Sequence, residues 1–340
     1  MKIKHLLVVI ALNLAGMAVP QLGAANGPYH FLKEISIGGE GGWDYLTYEP
    51  DGHRLFITRG SHVMVVDTGT LKVSGDIADL SGIHGVALAP SLNRGFVSNG
   101  ADDTLTIFDL KTLTRLDSVK VGDRPDAILF DPFSKQVFTF NARSHDSTAV
   151  DAQTGNVIGT VPLGGKPEFP AGDGKGKLYV NIEDKSQIAK VDVTKLSVLD
   201  TWSIAPCQEP SALAFDVEHH RLFSGCDNKM MAVVDSDTGK VVATVPIGSG
   251  VDAGAFNPKT QEVFMSCGEG VLTVIHEDSP DVYTVKQSVE TVKGARTMAL
   301  DQGNNIAYLV TAQREDKAVA PGQRPAIVPG SFELIVVKQE

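Results

Sequence analysis

Seven residues, Asp44, His84, Asp126, Glu168, Ser211, Asp252 and Arg296, recur at the same place in a repeated text with a period near 42 residues. Four are carboxylates, one an imidazole and one a guanidinium. If the repeats close into a ring, these groups face one another around its mouth. Like charges that close raise each other's pKa or recruit a cation. Two readings stand. In one, the ring is a site for a divalent cation (calcium or magnesium), a cationic group, or a polar ligand gripped by Arg296, with His84 or a carboxylate as proton carrier. In the other, it is a hydrated rim in which Arg296 neutralises its neighbours. No other cofactor is evident: the sequence lacks the His and Cys spacing of a zinc site, a glycine-rich loop entering a helix, and a serine nucleophile elbow.

The elements that carry these residues follow from the same repeat. Asp126-Ala-Ile-Leu-Phe-Asp-Pro132, a polar turn and Gln136-Val-Phe-Thr-Phe140 read as two antiparallel strands, and the text recurs from each of the other six positions. A second register places Asp67, Asp109, Asp151, Asp192 and Asp235 at the end of a third strand, with His276 in the same place one repeat later. Turns such as Asp151-Ala-Gln-Thr-Gly155 and a β-branched run such as Val241-Val-Ala-Thr-Val245 then complete a hairpin. One such aspartate per repeat argues for hairpin capping rather than a single shared site. The expectation is an all-β chain, a seven-bladed β-propeller of four-stranded antiparallel blades in one domain over 27–340. The last repeat is one strand short. The alternating run Phe31-Leu-Lys-Glu-Ile-Ser-Ile37, within 29–37, is predicted to pair beside 332–337 and so close the ring.

Loops on the face where the inner strands begin add His62, Arg143, His145 and Glu209 as ligand candidates. An insertion at 312–330, rich in Pro and Arg, joins the same face as a lid or a surface loop. His53, His219 and His220 fall in turns at the opposite face, where solvation explains them. Among the three cysteines, Cys226 and Cys267 occupy equivalent places in adjacent blades. Stacked sheets lie ~10 Å apart, too far for a bridge. Cys207 and Cys226 end neighbouring antiparallel strands of one blade, which makes them the expected disulfide.

The first residues read as a signal peptide over 1–25: Lys2, Lys4 and His5, then an apolar stretch from Leu6 to Val19, then Gly23-Ala24-Ala25 for cleavage. That stretch is shorter than the ~20 residues needed to span a bilayer, and no later segment is longer. A periplasmic or secreted protein is expected, with no membrane span after cleavage; an uncleaved anchor is the lesser alternative. Loss of the two leader lysines takes the formal net charge from −11 to −13. Such a body repels phosphate backbones, which argues against nucleic acid.

The texts Lys177-Leu-Tyr-Val-Asn181 and Gly95-Phe-Val-Ser-Asn99, with the recurring Val-Asp and Thr-Gly hairpins, resemble YVTN-type propellers, and specifically the YncE-like bacterial proteins. Cys207-Gln-Glu-Pro210, Ser224-Gly-Cys-Asp-Asn228, His276-Glu-Asp-Ser-Pro280 and Gly294-Ala-Arg-Thr-Met-Ala-Leu300 carry the resemblance further. It implies fold and export but transfers no reaction. The functional expectation is a monomeric binding or scaffold module, with a small polar ligand or an envelope protein at the face around the channel. The rival is a metal-assisted enzyme, lyase-like or hydrolase-like, with its site at the channel mouth.

Overall fold

The computed structural model describes residues 27–317 and 325–339. The expected leader at 1–25 lies outside them. Seven four-stranded antiparallel sheets stand around a central channel, giving an all-β propeller whose only described helices are two single 3-10 turns. Six blades are sequential meanders: blade 1 spans 46–77, blade 2 83–120, blade 3 125–162, blade 4 167–203, blade 5 210–246 and blade 6 251–290. Blade 7 combines Met298–Asp301, Ile306–Thr311 and Glu333–Gln339 with the N-terminal strand Tyr29–Ser36 on its outside.

Burial follows position within each blade. Second and third strands are sandwiched between neighbouring sheets, so both their faces are apolar: Leu55, Phe56 and Ile57 are fully buried, as are Val63, Val65 and Val66. Outer strands such as Arg115–Lys120 are exposed for most of their length. Inner strands crowd at the channel and carry small residues, among them Ala127, Ala212, Ala253 and Ala299. Alternation of small and large residues fills a tapering ring without voids.

The closure predicted from 29–37 is present. Tyr29–Ser36 pairs antiparallel with Glu333–Gln339, with one irregularity near Phe31. Tyr29 anchors the strand to blade 6: its backbone N–H donates to Gln287 Oε1 at 2.9 Å and its carbonyl accepts from Gln287 Nε2 at 2.8 Å. Its phenol donates to the buried Glu262 carboxylate. Burial, followed by that carboxylate, pushes the phenol well above the usual range.

The link from this strand into blade 1 is Gly38-Gly-Glu-Gly-Gly42, wrapped around a fully buried Arg59. The guanidinium donates to the carbonyls of Gly38, Gly39, Gly41 and Gly42 at 2.9 to 3.3 Å. It also stacks 3.5 Å from the centre of the Phe332 ring. Burial lowers its pKa to about 10. A side chain at Gly41 would stand 2.3 Å from the Arg59 carbonyl oxygen, and φ there is +92°, so only glycine allows the backbone this close.

The hairpin aspartates act as caps. Asp67, Asp109, Asp151, Asp192 and Asp235 each accept backbone N–H bonds from the turn that follows, for example Thr70 N–H at 2.7 Å and Thr154 N–H at 2.7 Å. The Lys177 ammonium at Asp192, and at all five the hydroxyl and backbone N–H of the turn threonine, favour the ionised form and lower the pKa.

Candidate functional site

The repeat brings its ring residues to one channel mouth through a shared device. A polar side chain near the end of a second strand donates to the main chain of the ring residue in the next blade. Thr58 reaches the His84 carbonyl at 2.8 Å, Ser98 the Asp126 carbonyl at 2.6 Å and Asn181 the Ser211 carbonyl at 3.1 Å. Ser266 does the same for Arg296. Four buried donors thus hold ring residues in register across four blade seams.

Within the ring the groups sort into three sets. His84 Nδ1 lies 2.7 Å from Asp44 Oδ2 and 3.5 Å from Asp126 Oδ1. Burial disfavours the imidazolium, but the Asp44 hydrogen bond and the Asp126 charge outweigh it and raise the His84 pKa. Asp126 is raised chiefly by burial. These three could hold a metal ion, since their ligand atoms all lie within 4.8 Å of one another. Glu168 pairs with Lys166 at 2.7 Å, and Lys166 also holds Glu183. Burial and the charge of Asp126 outweigh that ion pair and push Glu168 up to about 8. Asp252 pairs with Arg296 at 3.1 Å and accepts from the Ser211 hydroxyl at 3.3 Å. Burial pushes it up to about 6, with Arg296 the main opposing influence.

One residue farther along the inner strands, five blades carry Gly85, Ala127, Ala212, Ala253 and Thr297, but blades 1 and 4 carry Tyr45 and Phe169. Their rings meet across the channel with centroids 4.7 Å apart. The pair plugs the channel beneath the ring. Burial, then the charges of Asp126, Glu168, Asp44 and Asp252, hold the Tyr45 phenol well above its usual pKa.

A cavity of about 690 Å³ opens beside the mouth over blades 4 to 7. Glu183, Glu209 and Asp227 line it from blades 4 and 5, and Lys293, Arg296 and Arg314 from blade 7. Between them, Gly250 and Gly268 of blade 6 join backbone to backbone, Gly268 N–H to Gly250 O at 2.8 Å, and present no side chain. The cavity is therefore acidic on the wall of blades 4 and 5, and on the wall of blade 7 it carries Lys293, Arg314 and an Arg296 paired with Asp252, which also lines it. Glu209 occupies a left-handed conformation (φ +50°) directly before Pro210, where blades 2 and 6 place Gly82 and Gly250. Arg124 (φ +55°) holds the same place before Pro125 in blade 3, so the conformation belongs to the repeat rather than to this site. The expected Cys207–Cys226 disulfide is present, with Cα atoms 5.8 Å apart, and it pins this loop. Cys267 is free and buried.

The remaining candidates lie apart from the cavity. His62 approaches Asp76 at 3.6 Å on the rim of blade 1. Arg143 and His145 line a separate depression of about 320 Å³ with Arg124, Asp126 and Lys166. The described part of the 312–330 insertion forms a short antiparallel contact, Arg314 with Ile327, and sets Arg314 over the Trp43 ring at 5.4 Å. It supplies a cavity wall. Sequence reasoning missed Tyr45, Lys166, Glu183, Asp227, Lys293 and Arg314. Tyr45 alone left a signal, as a bulky residue at a register place that is otherwise mostly small.

Fold and site together define a seven-bladed β-propeller with a plugged channel and a charged mouth. No protein-family model matches the sequence, and no curated protein matches it. Solved structures do. A chain of Kuenenia stuttgartiensis hydrazine synthase is similar at 18% identity, covering 81% of this chain and 92% of its own, with a TM-score of 0.67. A chain from the crystal structure of a mitotic checkpoint complex is similar at 14% identity, covering 97% of this chain and 98% of its own, with a TM-score of 0.75. At such identities the likeness shows the fold alone.

Proposed function

We propose that the chain is an exported, YncE-like propeller of the YVTN type that acts as a binding module. Its ligand is a small dipolar molecule, negative at one end and positive at the other, such as an amino acid or the end of a short peptide. The carrying observation is the separation of charge across the cavity: Glu209 and Asp227 on one wall, Lys293 and Arg296 on the other, Arg296 being shared with Asp252, with bare backbone at Gly250 and Gly268 between. A volume of about 690 Å³ lies within the range of small-molecule sites and leaves room for a short peptide end. Guanidinium and ammonium groups favour a carboxylate or phosphate, and paired carboxylates favour an ammonium.

Asp44, His84 and Asp126 stand outside the set that lines the cavity, whereas Asp252 belongs to both ring and cavity. The ring thus contributes Ser211, Asp252 and Arg296 to the cavity, while Asp44, His84 and Asp126 stand aside from the ligand. For a cation at Asp44, His84 and Asp126, the imidazole donor fits calcium or magnesium poorly, since these ions favour oxygen shells. Export rests on the leader motif and the disulfide, a bond that persists in oxidising compartments. Among the described residues no helix is long and apolar enough to cross a membrane.

Thermal denaturation of the mature protein against amino acids, dipeptides and their singly charged derivatives tests the reading. Stabilisation by zwitterions above that by either singly charged form supports it; equal or absent stabilisation across the whole panel refutes it.

A further inference from the structure

A second group of ligating side chains lies on the opposite face, at the seam between blades 5 and 6. Asp216 ends the inner strand Pro210–Asp216, His219 follows in its turn, and Glu277 sits near the end of the strand Val271–Ser279. His219, expected to be a solvated turn residue, instead stands against two buried carboxylates: Asp216 is 1% exposed and Glu277 3%. Its Nδ1 lies 2.7 Å from Asp216 Oδ2 and 3.6 Å from Glu277 Oε1. Ligand atoms of all three residues lie within 4.8 Å of one another.

The hydrogen bonding of the group is incomplete. Asp216 Oδ2, His219 Nδ1 and Glu277 Oε2 are buried and have no hydrogen-bond partner. Asp216 Oδ2 and His219 Nδ1 are close in distance but lack the alignment of a hydrogen bond. Buried polar atoms are rarely left so, because each forfeits its hydration without compensation. Three crowded ligand atoms with unspent bonding capacity are what a bound cation would satisfy.

Neighbouring groups do not supply the missing cation. Arg221 is committed to Asp235 at 2.8 Å, to Asp281 at 3.0 Å and to the Pro280 carbonyl at 2.7 Å. Tyr283 donates to the Pro280 carbonyl at 2.7 Å and lies 3.2 Å from Glu277 Oε1, which orients that carboxylate.

We propose that Asp216, His219 and Glu277 form a binding site for a divalent transition-metal ion of the zinc type, which clamps blade 5 to blade 6. One imidazole nitrogen with two carboxylates suits zinc better than calcium or magnesium, and three protein ligands leave a position for water. The Asp44, His84 and Asp126 group differs: there the His84 nitrogen already shares a hydrogen bond with Asp44, and no atom is a buried orphan.

Untagged mature protein, stripped with a chelator, is titrated with zinc by calorimetry and by thermal denaturation. His219→Ala removes a partly open side chain, Glu277→Gln keeps shape and removes charge, and His84→Ala probes the other face. The expected result is one zinc per chain, about 100-fold weaker in both His219→Ala and Glu277→Gln and unchanged in His84→Ala, with a zinc-dependent rise in Tm that His219→Ala loses. Absence of zinc binding by the unmodified protein overturns the proposal. So does zinc affinity that survives both substitutions, or a loss confined to His84→Ala.

Discussion

Arg296 Nε lies 3.1 Å from Asp252 Oδ2, an ion pair across the seam of blades 7 and 6 with both side chains about one-quarter exposed at the channel mouth. Burial raises the Asp252 pKa to about 6 and Arg296 opposes the rise, so removal of Arg296 lifts it further. A carboxyl whose folded pKa exceeds its unfolded value contributes stability that is full at low pH and lost as pH rises through the folded pKa. Arg296→Ala should therefore be less stable than the unmodified protein by on the order of 1–3 kcal/mol at pH 8, with the deficit at least halved at pH 5. Urea denaturation at the two pH values measures this. An equal deficit at both would show that Arg296 acts through packing alone.

Glu168 is the most strongly raised carboxyl of the ring for which a value of about 8 follows from burial and Asp126. Its contribution to stability is full below the ordinary Glu range near 4.5 and falls away as pH climbs toward 8. Glu168→Gln abolishes the titration. The variant should gain on the unmodified protein between pH 5 and pH 8.5, by on the order of 1–3 kcal/mol, because the cost of ionising a buried carboxyl is gone. Parallel stability curves over that range would mean that Lys166, 2.7 Å away, already compensates the charge in full.

The Cys207–Cys226 bridge closes a loop of sequence separation 19 and holds the segment that carries Glu209. Loop-closure entropy for that length is worth about 3 kcal/mol. Cys207→Ser with Cys226→Ser should lose stability on that scale in urea denaturation. It should also weaken ligand binding, because the loop that carries Glu209 loses its tether. Loss of stability with ligand affinity intact would separate the bridge from the site.

Much of the architecture was legible because a period near 42 states it once per blade. The ring residues, the five capping aspartates, the closing strand at Tyr29–Ser36 and the disulfide all occupy places in that period. What was not legible comes from outside it. Lys166 and Lys293 lie in the loops entering inner strands, where the repeat sets the place but not the residue type, and Arg314 lies in an insertion present in one blade. Arg59 ends an ordinary second strand, and its buried carbonyl cage exists only because the Gly38–Gly42 loop folds over it. His219 and Glu277 are distant in sequence and meet only where two blades stack. Contacts of this kind depend on the packing of neighbouring repeats, which periodicity within one repeat does not encode.

The most direct measurement of the central claim is calorimetric titration of the best zwitterion from the thermal panel, with its N-acetyl and amide derivatives, into the unmodified protein, Arg296→Ala and Glu209→Gln. A dipolar ligand held between opposite walls loses affinity at one end in each variant. Arg296→Ala should weaken the zwitterion and the acidic N-acetyl derivative by at least tenfold while sparing the basic amide, and Glu209→Gln should do the reverse. Equal effects of both substitutions on all three compounds, or none on any, would contradict a site that reads charge at two ends.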